Sequence, residues 1–97
     1  MSVTPIDLSA DANFYDVSEL LTAIFNPTVP LVTVTVPYLT QEEKDNGLGG
    51  KMYLIENSSP TNTLVVNVDI NLVKTLTPGL RAKFIVRSDD TVKLYNY

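Results

Sequence analysis

The sequence predicts an all-β chain, a mainly antiparallel small sandwich or barrel with one short N-terminal helix, and three observations carry that expectation. Leu64, Val66, Val68, Ile70 and Leu72 recur at spacing two, which on a strand sends all of them to one face. Leu31–Val36 is a second alternation, rich in β-branched residues and bounded by Pro30 and Pro37, which have no N–H to give to a sheet. Short apolar runs then follow between turn residues, and the last two, joined by Ser88-Asp89-Asp90, are spaced as an antiparallel hairpin.

Taken in order, residues 1–15 show no sustained periodicity and read as an extended N-terminal arm, followed by a single small β domain over 16–97. Ser2 to Ala12 either cross a neighbouring subunit or form a first edge strand of their own. Asp16 has the chemistry of an N-cap, with Glu19 placed to complete a capping box and Tyr15 and Leu20 to form a hydrophobic staple. Val17, Leu20, Leu21 and Ile24 keep helical spacing, so a helix is expected from Val17 to Phe25, ended by Pro27. After Leu31–Val36, Thr40 and Glu43 form a second capping-box pattern for one helical turn that Asn46-Gly47 closes. Strands follow over 52–55, 63–72, 82–87 and 92–95, with Ser58-Ser59-Pro60 and Pro78-Gly79 as turns.

Composition narrows the chemistry. The 97 residues are enough for one domain and one core, and they include neither cysteine nor histidine. Disulfides, thiolate metal ligation, imidazole metal sites and histidine-dependent triads are therefore out of reach. Glu42-Glu43 and Asp89-Asp90 are the available carboxylate pairs, but adjacent residues in loops have no partner to split their pKa values for acid–base work. Gly47-Leu48-Gly49-Gly50-Lys51 lacks the phosphate-loop spacing. A non-enzymatic protein without cofactor or metal is expected. No apolar run reaches the roughly 20 residues of a membrane span, and Asp7 and Asp11 stand where a signal peptide would be basic.

The formal charge is −4, unevenly spread: residues 1–73 hold Lys44 and Lys51 against nine acids, and residues 74–97 hold five basic residues against Asp89 and Asp90. Such halves attract, within a subunit or between subunits. Arg81, Lys83 and Arg87 share one strand face, and Lys93 stands opposite on the hairpin partner. Together with Ile6, Leu8 and Phe14 of the arm they are the candidate partner interface. Met52-Tyr53-Leu54-Ile55 and Phe84-Ile85-Val86 are apolar on both faces, so a second layer has to cover them, whether the short helix, the N-terminal arm or another subunit; one helix covers little, which predicts a homo-oligomer. Two further readings compete with an assembly role. A basic hairpin with Tyr95 and Tyr97 suits single-stranded nucleic acid, although the acidic balance opposes phosphate binding. Exposed Tyr38, Tyr53, Tyr95 and Tyr97 would suit a glycan- or receptor-binding module.

The C-terminal stretch Pro78-Gly79-Leu80-Arg81-Ala82-Lys83-Phe84-Ile85-Val86, then Ser88-Asp89-Asp90 and Val92-Lys93-Leu94-Tyr95, resembles the closing hairpin of small bacteriophage virion modules, the capsid decoration, head-fibre and tail-fibre domains. Such modules often carry a tryptophan in the last strand, at a place held here by Val92. The resemblance implies an all-β subunit, commonly trimeric, that binds the major capsid or another virion protein and has no active site. It further implies that the chain belongs to the virion, assembled in the host cytoplasm, as a decoration or cement subunit before a fibre component.

Overall fold

The computed structural model describes residues 4–95; Ser2 of the expected arm and Tyr97 lie outside them. The strands are β1 (Ile6–Leu8), β2 (Ala12–Asn13), β3 (Thr22–Pro27), β4 (Leu31–Val36), β5 (Gly50–Asn57), β6 (Thr63–Val68), β7 (Asn71–Leu76), β8 (Arg81–Arg87) and β9 (Val92–Tyr95). Two short helices, α1 (Phe14–Val17) and α2 (Gln41–Asp45), interrupt them, so the protein is mostly β. Sheet one has the order β1-β3-β5-β8-β9 and sheet two the order β2-β4-β6-β7.

From β1 to β6 the chain changes sheet with every strand. Neighbours within a sheet therefore run parallel: β1 with β3, β3 with β5, β2 with β4 and β4 with β6. Only the last part reverses, β7 folding back on β6, β8 pairing antiparallel with β5, and β9 closing sheet one antiparallel to β8. The expectation of a mainly antiparallel β domain is thus corrected. Parallel neighbours need a crossover, and here the crossover is a strand of the opposite sheet instead of a helix. Both central ladders keep one register, Thr22 beside Leu54 and Leu31 beside Thr63, so the β3–β4 and β5–β6 units stack without slippage through their corners.

Alternation explains what is buried. Val32, Val34 and Val36 of β4 and Leu64, Val66 and Val68 of β6 point inward, against Phe25, Tyr53, Ile55 and Phe84 of sheet one. Phe14 joins them, edge-on to Phe25 at 5.9 Å and to Tyr53 at 5.1 Å between ring centroids, and Tyr53 stacks on Phe84 at 5.5 Å. Each such aromatic pair adds about 0.5–1.5 kcal/mol beyond its area.

Three local expectations are corrected. The helix foreseen over Val17 to Phe25 is displaced: α1 covers Phe14–Val17 with Asn13 as N-cap, Asp16 lies within its first turn, and Thr22–Pro27 is a strand. Ala23, Phe25 and Pro27 recur at spacing two and are buried, and ladders to β1 and β5 supply hydrogen bonds on both sides. A nine-residue helix, marginal by itself, cannot match that. The strand foreseen over 63–72 stops at Val68 because Asp69 adopts φ 53°, and the chain reverses into β7. Ile70 and Leu72 are then 86% and 63% exposed instead of following Leu64, Val66 and Val68 inward. The arm is, from Ile6 onward, the pair of edge strands β1 and β2 of this same chain.

The Leu31–Val36 strand, the β8–β9 hairpin and the Thr40–Glu43 capping box form where the residues predict them. In the capping box, Glu43 N–H donates to Thr40 Oγ1 at 3.1 Å and Thr40 N–H to Glu43 Oε1 at 2.8 Å. Gly47 and Gly79 take φ 84° and 82° at the turns foreseen for them.

At one end the corners stack. Asn57, fully buried at the end of β5, donates from its side-chain amide to the Asn62 and Leu76 carbonyls, both at 2.9 Å, and accepts from Ser59 N–H at 2.9 Å. Asn62 donates in turn to the Pro27 carbonyl at 2.8 Å. Asn57→Ala leaves the buried Leu76 carbonyl, the partly buried Asn62 carbonyl and the Ser59 N–H without this partner, and urea unfolding is expected to show a loss of about 3 kcal/mol. Gly50 is constrained sterically: a Cβ there would stand 2.9 Å from Ile85 Cγ2 and 3.1 Å from the Val86 carbonyl oxygen. Gly50→Ala is expected to cost about 1–3 kcal/mol by the same measurement.

Candidate functional site

The outward face of sheet one gathers the hairpin residues singled out by the sequence. On β8, Arg81, Lys83, Ile85 and Arg87 alternate outward between buried Ala82, Phe84 and Val86. The register sets Glu56 across from Arg81, Leu54 from Lys83, Met52 from Ile85 and Gly50 from Arg87 on one side, and Lys93 across from Ile85 and Tyr95 from Lys83 on the other. Glu56 is the one acid among the outward positions of these three strands. Met52, 44% exposed, and Ile85 form the middle of this face, beside a shallow depression of about 360 Å³ that Gly49, Gly50 and Arg87 complete.

The face is therefore an apolar centre with a basic border. Met52, Leu54 and Ile85 point away from the core, and no element of the chain is layered over them as a third sheet or helix among the described residues. An apolar centre inside a polar rim is the layout of association surfaces.

The rest of the expected interface is placed elsewhere. Leu8 and Phe14 are 5% and 0% exposed, filling the core of their own chain, and Ile6 is half-buried against it. The apolar character of Leu8 and Phe14 serves folding, and these two are corrected out of the surface. Tyr53 is likewise no exposed platform, being fully buried, while Tyr38 accepts a hydrogen bond from Asn71 at 3.1 Å. The attraction expected between the acidic and basic parts finds a reversed instance in the 3.0 Å ion pair of Lys44 with Asp90, a cation of the first part with an acid of the second.

A polar network on the other side of β5 has no counterpart in the sequence reading. Lys51 bonds to the Glu43 carboxylate and to the Tyr15 hydroxyl, and the Tyr53 hydroxyl lies 3.3 Å from that of Tyr15. The capping residue of α2 is thereby clamped to β5 and α1. Nothing in the spacing of Tyr15, Glu43 and Lys51 announces this, because the contact depends on how α1 and α2 are laid over the core.

The network sets three ionisations. Lys51 and then the Thr40 backbone hold the Glu43 carboxyl below its ordinary 4.5, against a smaller opposing effect of burial. Burial disfavours the Lys51 charge, but hydrogen bonds to Glu43 and Tyr15 outweigh it and raise the ammonium above its ordinary 10.5. Burial, followed by the Tyr15 hydroxyl, pushes Tyr53 up, so it stays neutral.

The chain matches no known protein-family model, no curated protein and no solved structure.

Glu43, with its lowered pKa, stabilises the fold above the ordinary carboxylate range and loses that contribution as pH falls through the folded value. Lys51 does the converse, stabilising below 10.5 and losing its contribution as pH rises through the raised value. Melting temperature is therefore expected to fall on acidification below about pH 4.5, less steeply for Glu43→Gln than for the native chain. Asp89, lowered by Thr91, keeps a residual slope in both.

Proposed function

We propose that this chain is a non-enzymatic virion structural protein, a capsid decoration or cement subunit that works as an oligomer, trimeric by preference, in the frame of a small two-sheet sandwich. The observation that carries this reading is the outward face of sheet one, where exposed Met52 and half-buried Leu54 and Ile85 lie within a border of Arg81, Arg87, Lys83 and Lys93. A second copy, or the surface of the major capsid protein, would bury the apolar centre and meet the basic border with acids. The acidic residues concentrated before residue 74 provide such a complement on another copy.

The hairpin face acts without the arm, because Leu8 and Phe14 are committed to the core. The resemblance of the Pro78–Tyr95 stretch to virion modules supports the same assignment and supplies the class of partner. A nucleic-acid role has less to support it, since the exposed cations are interleaved with Met52, Leu54 and Ile85 instead of a run of aromatic rings.

Light scattering over a concentration series, with and without purified capsids, tests the proposal. A mass that rises with concentration, or sedimentation with capsids, is expected; a strict monomer that ignores every capsid, or salt-sensitive binding to DNA or RNA, contradicts it. Charge reversal of Arg81→Glu together with Arg87→Glu is expected to weaken assembly at least tenfold while shifting the urea midpoint little, because both side chains are exposed. Equal loss of assembly and stability would count against an interface.

A further inference from the structure

A separate cleft of about 350 Å³ opens against sheet two, lined by Asn13, Tyr15, Asp16, Thr35, Pro37 and Asp69. Three parts of the fold converge on it: the β2–α1 junction brings Asn13, Tyr15 and Asp16, β4 brings Thr35, and the reversal after β6 brings Asp69 at φ 53°. Tyr15 is 46% exposed although its hydroxyl is tied by Lys51 and Tyr53. The ring is thus fixed at one end, carries the Lys51 ammonium over it at 5.0 Å from its centroid, and lines the cleft.

The polar groups beside the plate have unused capacity. Asn13 Nδ2 donates to Asp16 Oδ2 over a long 3.4 Å, while the Asp69 carboxylate and the Thr35 hydroxyl have no side-chain partner among the described residues. A fixed aromatic plate flanked by amide, hydroxyl and carboxylate groups fits a pyranose ring, whose C–H face stacks and whose neighbouring hydroxyls donate to carboxylates. Asp16 and Asp69 line the cleft, and Lys51, the cation over the Tyr15 ring, is already paired with Glu43, so the local charge opposes phosphate and acidic sugars. The volume lies at the lower end of the roughly 300–1,000 Å³ of small-molecule sites, suited to one ring.

We propose that this cleft binds a neutral pyranose unit of a glycan, with Tyr15 as the stacking plate and Asp16, Asp69 and Asn13 as hydroxyl partners. The site is independent of the assembly face: it lies on another sheet and shares no residue with it. The ligand source is a surface glycan and not a free nucleotide, because the carboxylates oppose phosphate.

The test is a two-dimensional amide NMR titration of the full chain with glucose, galactose, mannose and N-acetylglucosamine, alongside sialic acid and a nucleoside monophosphate. Saturable shifts centred on Tyr15, Asp16, Thr35 and Asp69 with at least one neutral sugar are expected. Tyr15→Ala should weaken that binding at least tenfold, and Asp16→Asn, which keeps the shape, several-fold. A melting curve shows whether each variant folds, and Asp69→Asn offers a second probe should Tyr15→Ala unfold. No saturable shift with any neutral sugar, tighter binding of sialic acid or nucleotide, or undiminished binding by folded Tyr15→Ala overturns the proposal. The oligomer mass of Tyr15→Ala should stay native, which separates this outcome from any failure of the assembly reading.

Discussion

The fold depends on what happens to the backbone where it leaves one sheet for the other. A chain that changes sheets between successive strands has to carry N–H and C=O groups out of both ladders, and each group left unpaired in the interior costs free energy. Asn57 resolves this at the most crowded corner. Its side chain bonds to Ser59, Asn62 and Leu76, its N–H donates to the Leu80 carbonyl at 2.9 Å, and its carbonyl accepts from Gly79 at 3.0 Å. One buried amide residue thereby joins the end of β5, the approach to β6, the end of β7 and the approach to β8. The earlier corner is tied in alongside, through Asn62 to Pro27 and through Ser58 N–H to the Phe25 carbonyl at 2.9 Å.

That arrangement fixes the faces available for recognition. Because the central ladders hold a single offset, the buried residues of β3 to β6 stay on one side of each sheet and the more exposed ones on the other, with no drift from one layer to the next. The outward face of sheet one is left with its apolar centre and basic border, and sheet two with a mixed row of Leu31, Thr33 and Thr35 on β4 beside Thr63, Val65 and Asn67 on β6. Open edges are managed by other means: β1 and β2 are short, and β7 and β9 carry Lys74 and Lys93, devices that discourage indiscriminate strand addition. The proposed interface accordingly uses the sheet face and not its edges.

Much of this was legible in the sequence wherever one period dominated. Leu31–Val36 and the final hairpin alternate cleanly between turn residues, and the same alternation placed Arg81, Lys83 and Arg87 together on the surface. The signal failed where two periods were superposed. Val17, Leu20, Leu21 and Ile24 keep helical spacing while Ala23, Phe25 and Pro27 keep strand spacing, and only the presence of ladder partners on both sides decides between them. Ile70 and Leu72 extend a strand pattern past Asp69, whose left-handed backbone no periodicity announces. Parallel pairing was illegible for a related reason, since sheet membership follows from the corners and not from any strand's own residues. The same limit applies to the cleft and the Lys51 clamp, which join residues distant in the chain, and to Leu8 and Phe14, whose burial has no repeating pattern to reveal it.

Hydrogen exchange resolved by residue tests most directly whether the stacked corner makes the two sheets one cooperative unit. The Ser59 amide, bonded to Asn57 Oδ1 at 2.9 Å, and the Asn62 amide, bonded to Ser59 Oγ at 2.8 Å, lie outside both ladders. They are expected to exchange only through global unfolding, as slowly as the β5 and β6 ladder amides. Fast exchange at Ser59 and Asn62 while those ladders stay protected would show that the corner opens by itself, and would contradict its role as the joint between the sheets.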